Sequence, residues 1–462
     1  MISLTISSAI FILIILVLNP ILITQFSYSI IYPHHLTIQP NLGPIINDPN
    51  LKSKLVVKGI DFPTSMAFLG PDDILVLEKN QGTVKRILNG TILPRPLLSV
   101  NVATENERGI LGIAVTKNVT RNTTYVFLYY TKSRTRNGED VTEGKDPLCA
   151  CLYRYELVGN KLVNPRLLLS LPATPGSYHT PDHLGGKILI GPDKNVYVVI
   201  GDVGGHMTTA TNIKGAQQAD GTGGILRITQ DGNVVHGIIG NKFPLSLYYA
   251  YGIRNSFGMD FDPVTGKLWD TENGPSYGDE INLVGPGFNS GWMQVQGIWR
   301  PTGPSNFLPG NITLNPDNLQ NFGGKGKYRP PEFTWYQDTG PTAIKFLNSD
   351  KLGKQYKNDM FVGDFHNGNL YHFKLNHNRT DLVLPVSLVD KVARNDSTLR
   401  PIIFGHGFGG ITDIQIGPDG YLYVLSLYAG GDDCNPILPN APCFSYNSPM
   451  EGSIFRIVPI NK

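Results

Sequence analysis

From residue 55 onward the apolar positions recur in one arrangement: a short apolar run, a tight turn, and a second apolar run. MAFL at 66–69 leads into Gly70-Pro71-Asp72-Asp73 and then ILVL, and KILI at 187–190 leads into Gly191-Pro192-Asp193 and then VYVVI. TDIQI at 412–416 leads into Gly417-Pro418-Asp419-Gly420 and then YLYVL, while GMDF at 258–261 leads into Asp262-Pro263 and then KLW. Weaker copies turn near Thr116 and Leu347. Proline presets the first turn position, and Asp and Gly suit the positions after it. Runs of this length bounded by such turns predict antiparallel strands rather than helices. Six copies with turns near 70, 116, 191, 262, 347 and 417 predict an all-β fold, a six-bladed β-propeller of four-stranded antiparallel blades. A pair of β-sandwiches would not explain why the same turn persists from residue 70 to residue 420. The segments LVVKGI at 55–60 and SIFRIVPI at 453–460 flank the repeats, and the propeller expectation requires them to meet and close the ring.

Composition supports this picture. The 462 residues include 51 Gly and 34 Pro, and only 16% are charged against a usual ~25%, the opposite of a coiled coil or helical bundle. With 41% apolar and 10% aromatic residues the chain can fill a large core, which excludes disorder. A net charge of +2 gives no electrostatic footprint for nucleic acid.

The N-terminus reads separately from the repeats. Ala9–Leu18 is an apolar run that Asn19-Pro20 interrupts and Ile21–Ile23 extends. With the small residues Ser27 and Ser29 it fits a secretory signal over 1–29, although no Lys or Arg precedes Lys52. An uncleaved N-terminal anchor is the alternative and would be the chain's one membrane contact. Residues 30–54 read as an extended tether, and 55–462 as the propeller. The expected location is outside the cytoplasm, at the cell surface, in a periplasm or in the medium. Acceptor triplets at Asn89, Asn118, Asn122, Asn311, Asn378 and Asn395 agree with export. The four cysteines cluster as Cys149/Cys151 and Cys434/Cys443. The tight Cys149–Cys151 loop is disfavoured, Cys434–Cys443 suits a loop staple, and cross-links between the clusters are the rival. None of these spacings suits zinc.

Four segments depart from scaffold chemistry. DHLGGK (182–187) places His183 beside two glycines that let the backbone approach a ligand. Asp202 follows the next strand, Arg254-Asn255 opens the fourth blade, and ENGPSYGDEIN (272–282) offers carbonyls and carboxylates, hard oxygen ligands suited to calcium. Taken singly, each has a structural reading. Together they follow the inner strands of the third and fourth blades and are expected to converge on a central channel.

The stretches DHLGGKILIGPDKNVYVVIGD, YGIRNSFGMDFDPVTGKLWDTENGPSYGDEINLV and PGFNSGW resemble the soluble PQQ-dependent sugar dehydrogenases, the glucose/sorbosone and aldose sugar dehydrogenase group. The resemblance spans about residues 55–458 and implies a six-bladed propeller that oxidises aldoses at C1 to lactones. It implies that His183 is the general base, that Asp202 orients it, that Arg254 stabilises charge on the reduced quinone, and that Asn255 contacts the cofactor. It also implies that the carbonyls of Gly274 and Pro275 hold a Ca²⁺ ion and that Asp279 and Glu280 match a second, structural calcium site. The sequence departs from the family where a Lys and two Arg neutralise the three PQQ carboxylates. His366, Gly410 and Thr412 stand at those positions, and Glu107 replaces a cofactor-contacting Gln. Lys187, Arg108, His366 and His406 are the candidate substitutes.

The implied partners are a small sugar and an unidentified external electron acceptor. No Cys-x-x-Cys-His haem motif is present. Two other functions compete. One is a propeller that has lost the quinone and binds carbohydrate or protein. The other is a calcium-dependent lactonase, which would need several carboxylate and amide ligands around one channel ion.

Overall fold

The computed structural model describes residues 43–118, 120–134, 149–302, 308–427 and 451–460. Ile45–Ile46 (β1) and Leu51–Asp61 (β2) open the described chain. The hairpins expected from the repeated turns follow in order. They are Pro63–Gly70 with Asp73–Glu78 (β3, β4), and Ile110–Asn118 with Thr123–Lys132 (β5, β6), to which Cys149–Val158 (β7) adds a strand. Next are Ile188–Ile190 with Val196–Ile200 (β8, β9), and Ser256–Phe261 with Leu268–Glu272 (β10, β11), continued by Asp279–Val284 (β12). Pro341–Phe346 pairs with Met360–Asp364 (β13, β14). After Ile403–His406 (β15), Ile411–Ile416 pairs with Leu422–Ser426 (β16, β17), and Glu451–Pro459 (β18) completes the described chain.

The turn chemistry explains why the copies look alike. Asp193 accepts hydrogen bonds from Asn195 N and from the Tyr197 hydroxyl at 3.1 and 3.0 Å, and Asp419 accepts from Tyr421 N and the Tyr423 hydroxyl at 3.1 and 2.9 Å. The preceding Gly191 and Gly417 leave room for those same tyrosine rings, which a Cβ would strike. Glycine is required here for space, not for an unusual backbone angle.

Among the described residues the strands form six sheets of four to six strands and one two-stranded ribbon. The first strands of the six hairpins pack in a closed circuit: β3 on β5, β5 on β8, β8 on β10, β10 on β13, β13 on β16, and β16 back on β3. This is an all-β propeller. Its sheets are not the uniform four-stranded units expected from the repeat. Two have four strands, two have five and two have six, because residues in the long connections add outer strands.

The ring closes through the chain ends, as expected. β2 pairs antiparallel with β18 in the sheet that holds β16 and β17, with Leu55 opposite Phe455 and Asp61 opposite Glu451. Val57, Ile60, Met66, Ile74 and Val76 pack with Leu425 and Ile454 in one buried cluster that joins the last sheet to the first. The proposed tether over 30–54 is too long, since β1 already pairs with β15 and β2 begins at Leu51. Its apolar positions Ile46 and Leu51 are buried against the fifth and sixth sheets.

The cysteine expectation is also corrected. Cys149 and Cys151 form a disulfide, their Cα atoms 5.2 Å apart. Residues two apart on a strand project to the same face, which brings the sulfurs together. Cys434, Cys443 and the segment 1–42 lie outside the described residues. No helix among the described residues is long and apolar enough to cross a membrane. Asn89, Asn122, Asn311, Asn378 and Asn395 are exposed, while Asn118 is half-buried.

Ile454 in β18 is fully buried in the closure cluster. Ile454→Ala is expected to cost about 2–5 kcal/mol, the range for truncating a core aliphatic residue. Chemical denaturation of wild type and variant checks this, and an unchanged midpoint would show that this seam does not limit stability.

Candidate active site

Each repeated hairpin turns at one end of the ring, so the residues before its first strand and after its second lie together at the other end. A cleft of about 620 Å³ opens there, and all six sheets contribute to its wall. The first gives Ser65 and Lys79, the second Glu107, and the third Asp182, His183 and Lys187. The fourth gives Arg254, Asn255, Asn273, Gly274 and Pro275. Asp338, Phe365 and His366 come from the fifth, and Thr412 from the sixth. The sequence-derived residues therefore converge, but not by following the inner strands. His183 and Arg254 precede inner strands, and Asp202 and Asn273 follow the second strands.

His183 sits in the left-handed region at φ 63°, followed by Gly185 and Gly186 at 59° and 116°. This costly backbone turns its side chain back toward the ring. His183 Nδ1 lies 2.5 Å from Asp202 Oδ1. Asp202 is buried, and it also accepts from Gly205 N at 3.2 Å and from Trp292 Nε1 at 2.8 Å. Burial alone would raise its carboxyl, but His183, Arg254 and the Trp292 hydrogen bond more than offset this and hold it below the ordinary value. An ionised Asp202 draws the ring proton to Nδ1, so Nε2 keeps its lone pair.

Arg254 N donates to Glu272 Oε1 at 2.7 Å, and its Nη1 donates to the carbonyls of Asn273 and Gly274 at 3.0 and 2.8 Å. The guanidinium stacks 5.4 Å from the Trp292 ring centre. The same indole thus serves both Asp202 and Arg254. Glu107 accepts from Leu184 N at 3.0 Å and from Asn255 Nδ2 at 2.9 Å, linking the His183 and Asn255 segments. Burial raises its carboxyl above the ordinary value, although His183 partly counters this.

Asp279 and Glu280 hold backbone amides behind the cleft. Neither lines the cleft. Asp279 accepts from Gly274 N, Thr339 N and Gly340 N at 2.8, 2.7 and 3.0 Å, and so ties two cleft loops together. Glu280 accepts from Gly297 N, Gln296 and Asn282. Their oxygens are spent on these donors, and among the described residues no group of three or more His, Cys, Asp or Glu side chains is arranged for a metal ion. The Gly274 carbonyl already faces the Arg254 cation. In this arrangement the Asp279 and Glu280 carboxylates and the Gly274 carbonyl each hold a protein donor.

Of the substitute cations, Lys187 reaches the cleft, where its Nζ lies 2.5 Å from Asp413 Oδ1. His366 also lines the cleft, 3.6 Å from Asp338. Arg108 is buried and donates to the Ala173 carbonyl, and neither it nor His406 lines the cleft. Gly410 lies behind the wall against Phe365. Sequence reasoning missed Lys79, a buried cleft residue whose ammonium burial lowers to about 7. Its signal was positional, since it directly follows the second strand of a hairpin, as Asn273 does. Asp338 was missed because nothing local marks it, and Trp292, although it ends the PGFNSGW stretch, was not read as a site residue.

A family model described as Glucose / Sorbosone dehydrogenase matches residues 60–432. The chain is 23% identical to aldose sugar dehydrogenase YliI of Escherichia coli over 382 residues, 81% of this chain and 89% of that one. It is 29% identical to quinoprotein glucose dehydrogenase B of Acinetobacter calcoaceticus over 270 residues, 54% and 53% of the two chains. Among solved structures, a glucose dehydrogenase-like oxidoreductase of Thermus thermophilus aligns with a TM-score of 0.61 and 25% identity, covering 88% of this chain and all of that one. The PQQ-bound aldose sugar dehydrogenase of Streptomyces coelicolor aligns with a TM-score of 0.57 and 21% identity, covering 88% and 98%.

Glu272 is fully buried, and burial raises its carboxyl to about 7. A carboxyl raised above its unfolded value of about 4.3 contributes stability below that value and loses it as pH rises through about 7. Glu272→Gln is therefore expected to flatten the fall in melting temperature between about pH 4.5 and 7. Parallel pH series of thermal melts check it, and identical slopes would refute the assignment.

Proposed function

Because the chain belongs to the glucose/sorbosone dehydrogenase family, we propose that it oxidises aldose sugars at C1 to lactones in this cleft, with PQQ as the electron acceptor. The observation that carries the reading is the His183–Asp202 pair at the wall of a cleft it shares with Arg254 and Asn255. We count the six larger sheets as six blades, one hairpin to each. The apolar N-terminal run and the acceptor triplets support an exported enzyme that passes electrons to an external acceptor.

The cleft residues fit a polar quinone. The wall carries Lys79, Lys187 and Arg254, and four of its buried polar atoms have no protein partner: Arg254 Nε, Asn255 Oδ1, Asn273 Oδ1 and Thr412 Oγ1. Such atoms are costly unless a ligand or water completes them. Arg254, Asn255, Thr412 and Lys79 would hold PQQ, which supplies the two-electron acceptor for the C1 hydride when bound.

The chain's own residues perform the proton chemistry. His183 Nε2 is the free basic nitrogen and takes the proton of the C1 hydroxyl. Asp202 fixes the tautomer through Nδ1 and stabilises the imidazolium that results. Trp292 and Gly205 N hold Asp202 in place, so the base is oriented before substrate arrives. The Gly274 carbonyl is shared with Arg254.

One observation favours a second reading, a propeller that binds a neutral carbohydrate without a quinone. Lys79, Lys187 and Arg254 are matched in the wall by Glu107, Asp182 and Asp338.

Purified apo-protein supplied with PQQ, with and without Ca²⁺, is expected to reduce a dye when an aldose is added. His183→Ala should lower turnover by about 10²–10⁴-fold, the usual contribution of a general base, with PQQ affinity unchanged. Full turnover in that variant would remove His183 from the mechanism. Absence of PQQ binding to wild type, read by fluorescence titration, would favour the binding module.

A further inference from the structure

Asn255 is buried in the cleft wall, and its amide has two unlike ends. One faces Glu107 Oε1 at 2.9 Å, while Glu107 Oε2 accepts from Leu184 N at 3.0 Å. Both Glu107 oxygens therefore act as acceptors here, one for Leu184 N and the other for Asn255. The end of Asn255 that faces it is the NH₂ group, Nδ2 donating to Oε1. The carbonyl oxygen is left over, and it has no partner in the protein. Asn273, also in the wall, likewise has an unpartnered carbonyl oxygen.

We propose that Glu107 sets the hydrogen-bond polarity of this part of the cleft, so that Asn255 offers a ligand only an acceptor and the subsite takes a hydroxyl or N–H donor rather than a carbonyl oxygen. A carbonyl placed there would meet an oxygen and leave both groups unpaired, whereas a hydroxyl would complete Asn255. Gln at position 107 would reverse the polarity. Its own carbonyl would accept from Leu184 N, its NH₂ would donate to Asn255 Oδ1, and Asn255 would then turn its NH₂ to the ligand. The single atom that distinguishes Glu from Gln thus changes which edge of a ligand is recognised.

Two ligands carry such a donor: a sugar, through its hydroxyls, and a quinone cofactor in its reduced form, whose oxygens bear protons that the oxidised form lacks. The quinone arm rests on the function proposed above, and the sugar arm does not. The test measures equilibrium binding to apo-protein, wild type and Glu107→Gln, after thermal melts confirm that both fold. The probes are oxidised PQQ, PQQ reduced under anaerobic conditions, D-glucose, and its monodeoxyfluoro analogues, in which fluorine cannot donate.

If the donor is the quinone's, wild type binds reduced PQQ about tenfold more tightly relative to oxidised PQQ than Glu107→Gln does. If it is the sugar's, one fluoro analogue loses about tenfold against glucose in wild type and not in Glu107→Gln. Asn255→Ala, which removes the acceptor and leaves Glu107 in place, should abolish whichever preference appears. A preference that survives Asn255→Ala, or ratios equal in wild type and Glu107→Gln in both series, overturns the proposal. Failure of wild type to bind PQQ in either form counts against the quinone function alone, and the sugar series then decides the polarity.

Discussion

The pairing of β2 with β18 brings an early strand and the last strand of the described chain into one sheet, and the geometry of the cleft follows from that closure. A ring of sheets holds its inner strands at fixed distances only while it is closed. Lys187 stands at the start of β8 and Asp413 on β16, two strands on opposite sides of the circuit, and they meet at 2.5 Å. Asp413 also accepts from Ser65 Oγ and Met66 N at the head of β3. Three inner strands are therefore joined at one buried carboxylate beneath the cleft. If the closing strands separated, β16 would be free to move and this junction would lose its geometry. Paired buried charges add little net stability, because desolvation offsets their attraction. Their contribution here is positional, since the ammonium and carboxylate tolerate only one arrangement of the strands that carry them.

The same trade governs the fourth sheet. β11 and β12 are buried along their whole length, yet they contain Asp270, Glu272, Asp279, Glu280 and Asn282. An apolar sequence would pack there at lower cost. Glu272 receives Arg254 N, Asp279 receives Gly274 N, and Asp279 also receives the amides of the 339–340 loop. These carboxylates act as anchors for irregular backbone that has no strand to pair with. Burial raises both Glu272 and Asp279 to about 7, the electrostatic cost of using acids in this way. It also explains why ENGPSYGDEIN reads like a metal loop. The same hard oxygens that would bind a cation here bind amide protons.

Much of the fold was legible because its signal is local and repeated. Gly-Pro-Asp turns marked hairpins, the flanking apolar runs marked their strands, and the meeting of the chain ends followed from ring geometry. Strand number was not legible, since outer strands such as β1 are two residues long and exist only because a neighbouring sheet edge is there to pair with. The His183, Asp202, Arg254 and Asn255 set was visible through its glycine-rich surroundings and family resemblance. The direction of approach was misjudged, because a sequence lists residues beside a strand without saying which end of the ring they reach. Asp338 comes from a loop far along the chain and carries no local mark, and Trp292 stood out only as the end of PGFNSGW, with nothing to show that its indole serves Asp202. The expectation against a Cys149–Cys151 pairing failed for another reason. Counting residues treats the loop as tight, whereas an extended strand already puts alternate side chains on one face.

Charge in the cleft shows why position outweighs composition. Three cations and three carboxylates line the wall, so their sum predicts no preference for an anion. Their placement does. Lys187 is neutralised by Asp413, and Arg254 is directed at backbone carbonyls that carry only partial charge. Burial lowers Lys79 to about 7, so its charge near neutrality depends on what lies beside it. An anionic ligand would favour the protonated lysine, while an empty or neutral cleft would not. Glu107 adds a second constraint, because it counters that charge and also sets the polarity of Asn255. Selection by this wall therefore rests less on total charge than on whether a ligand brings negative charge to the lysine and a donor to the asparagine.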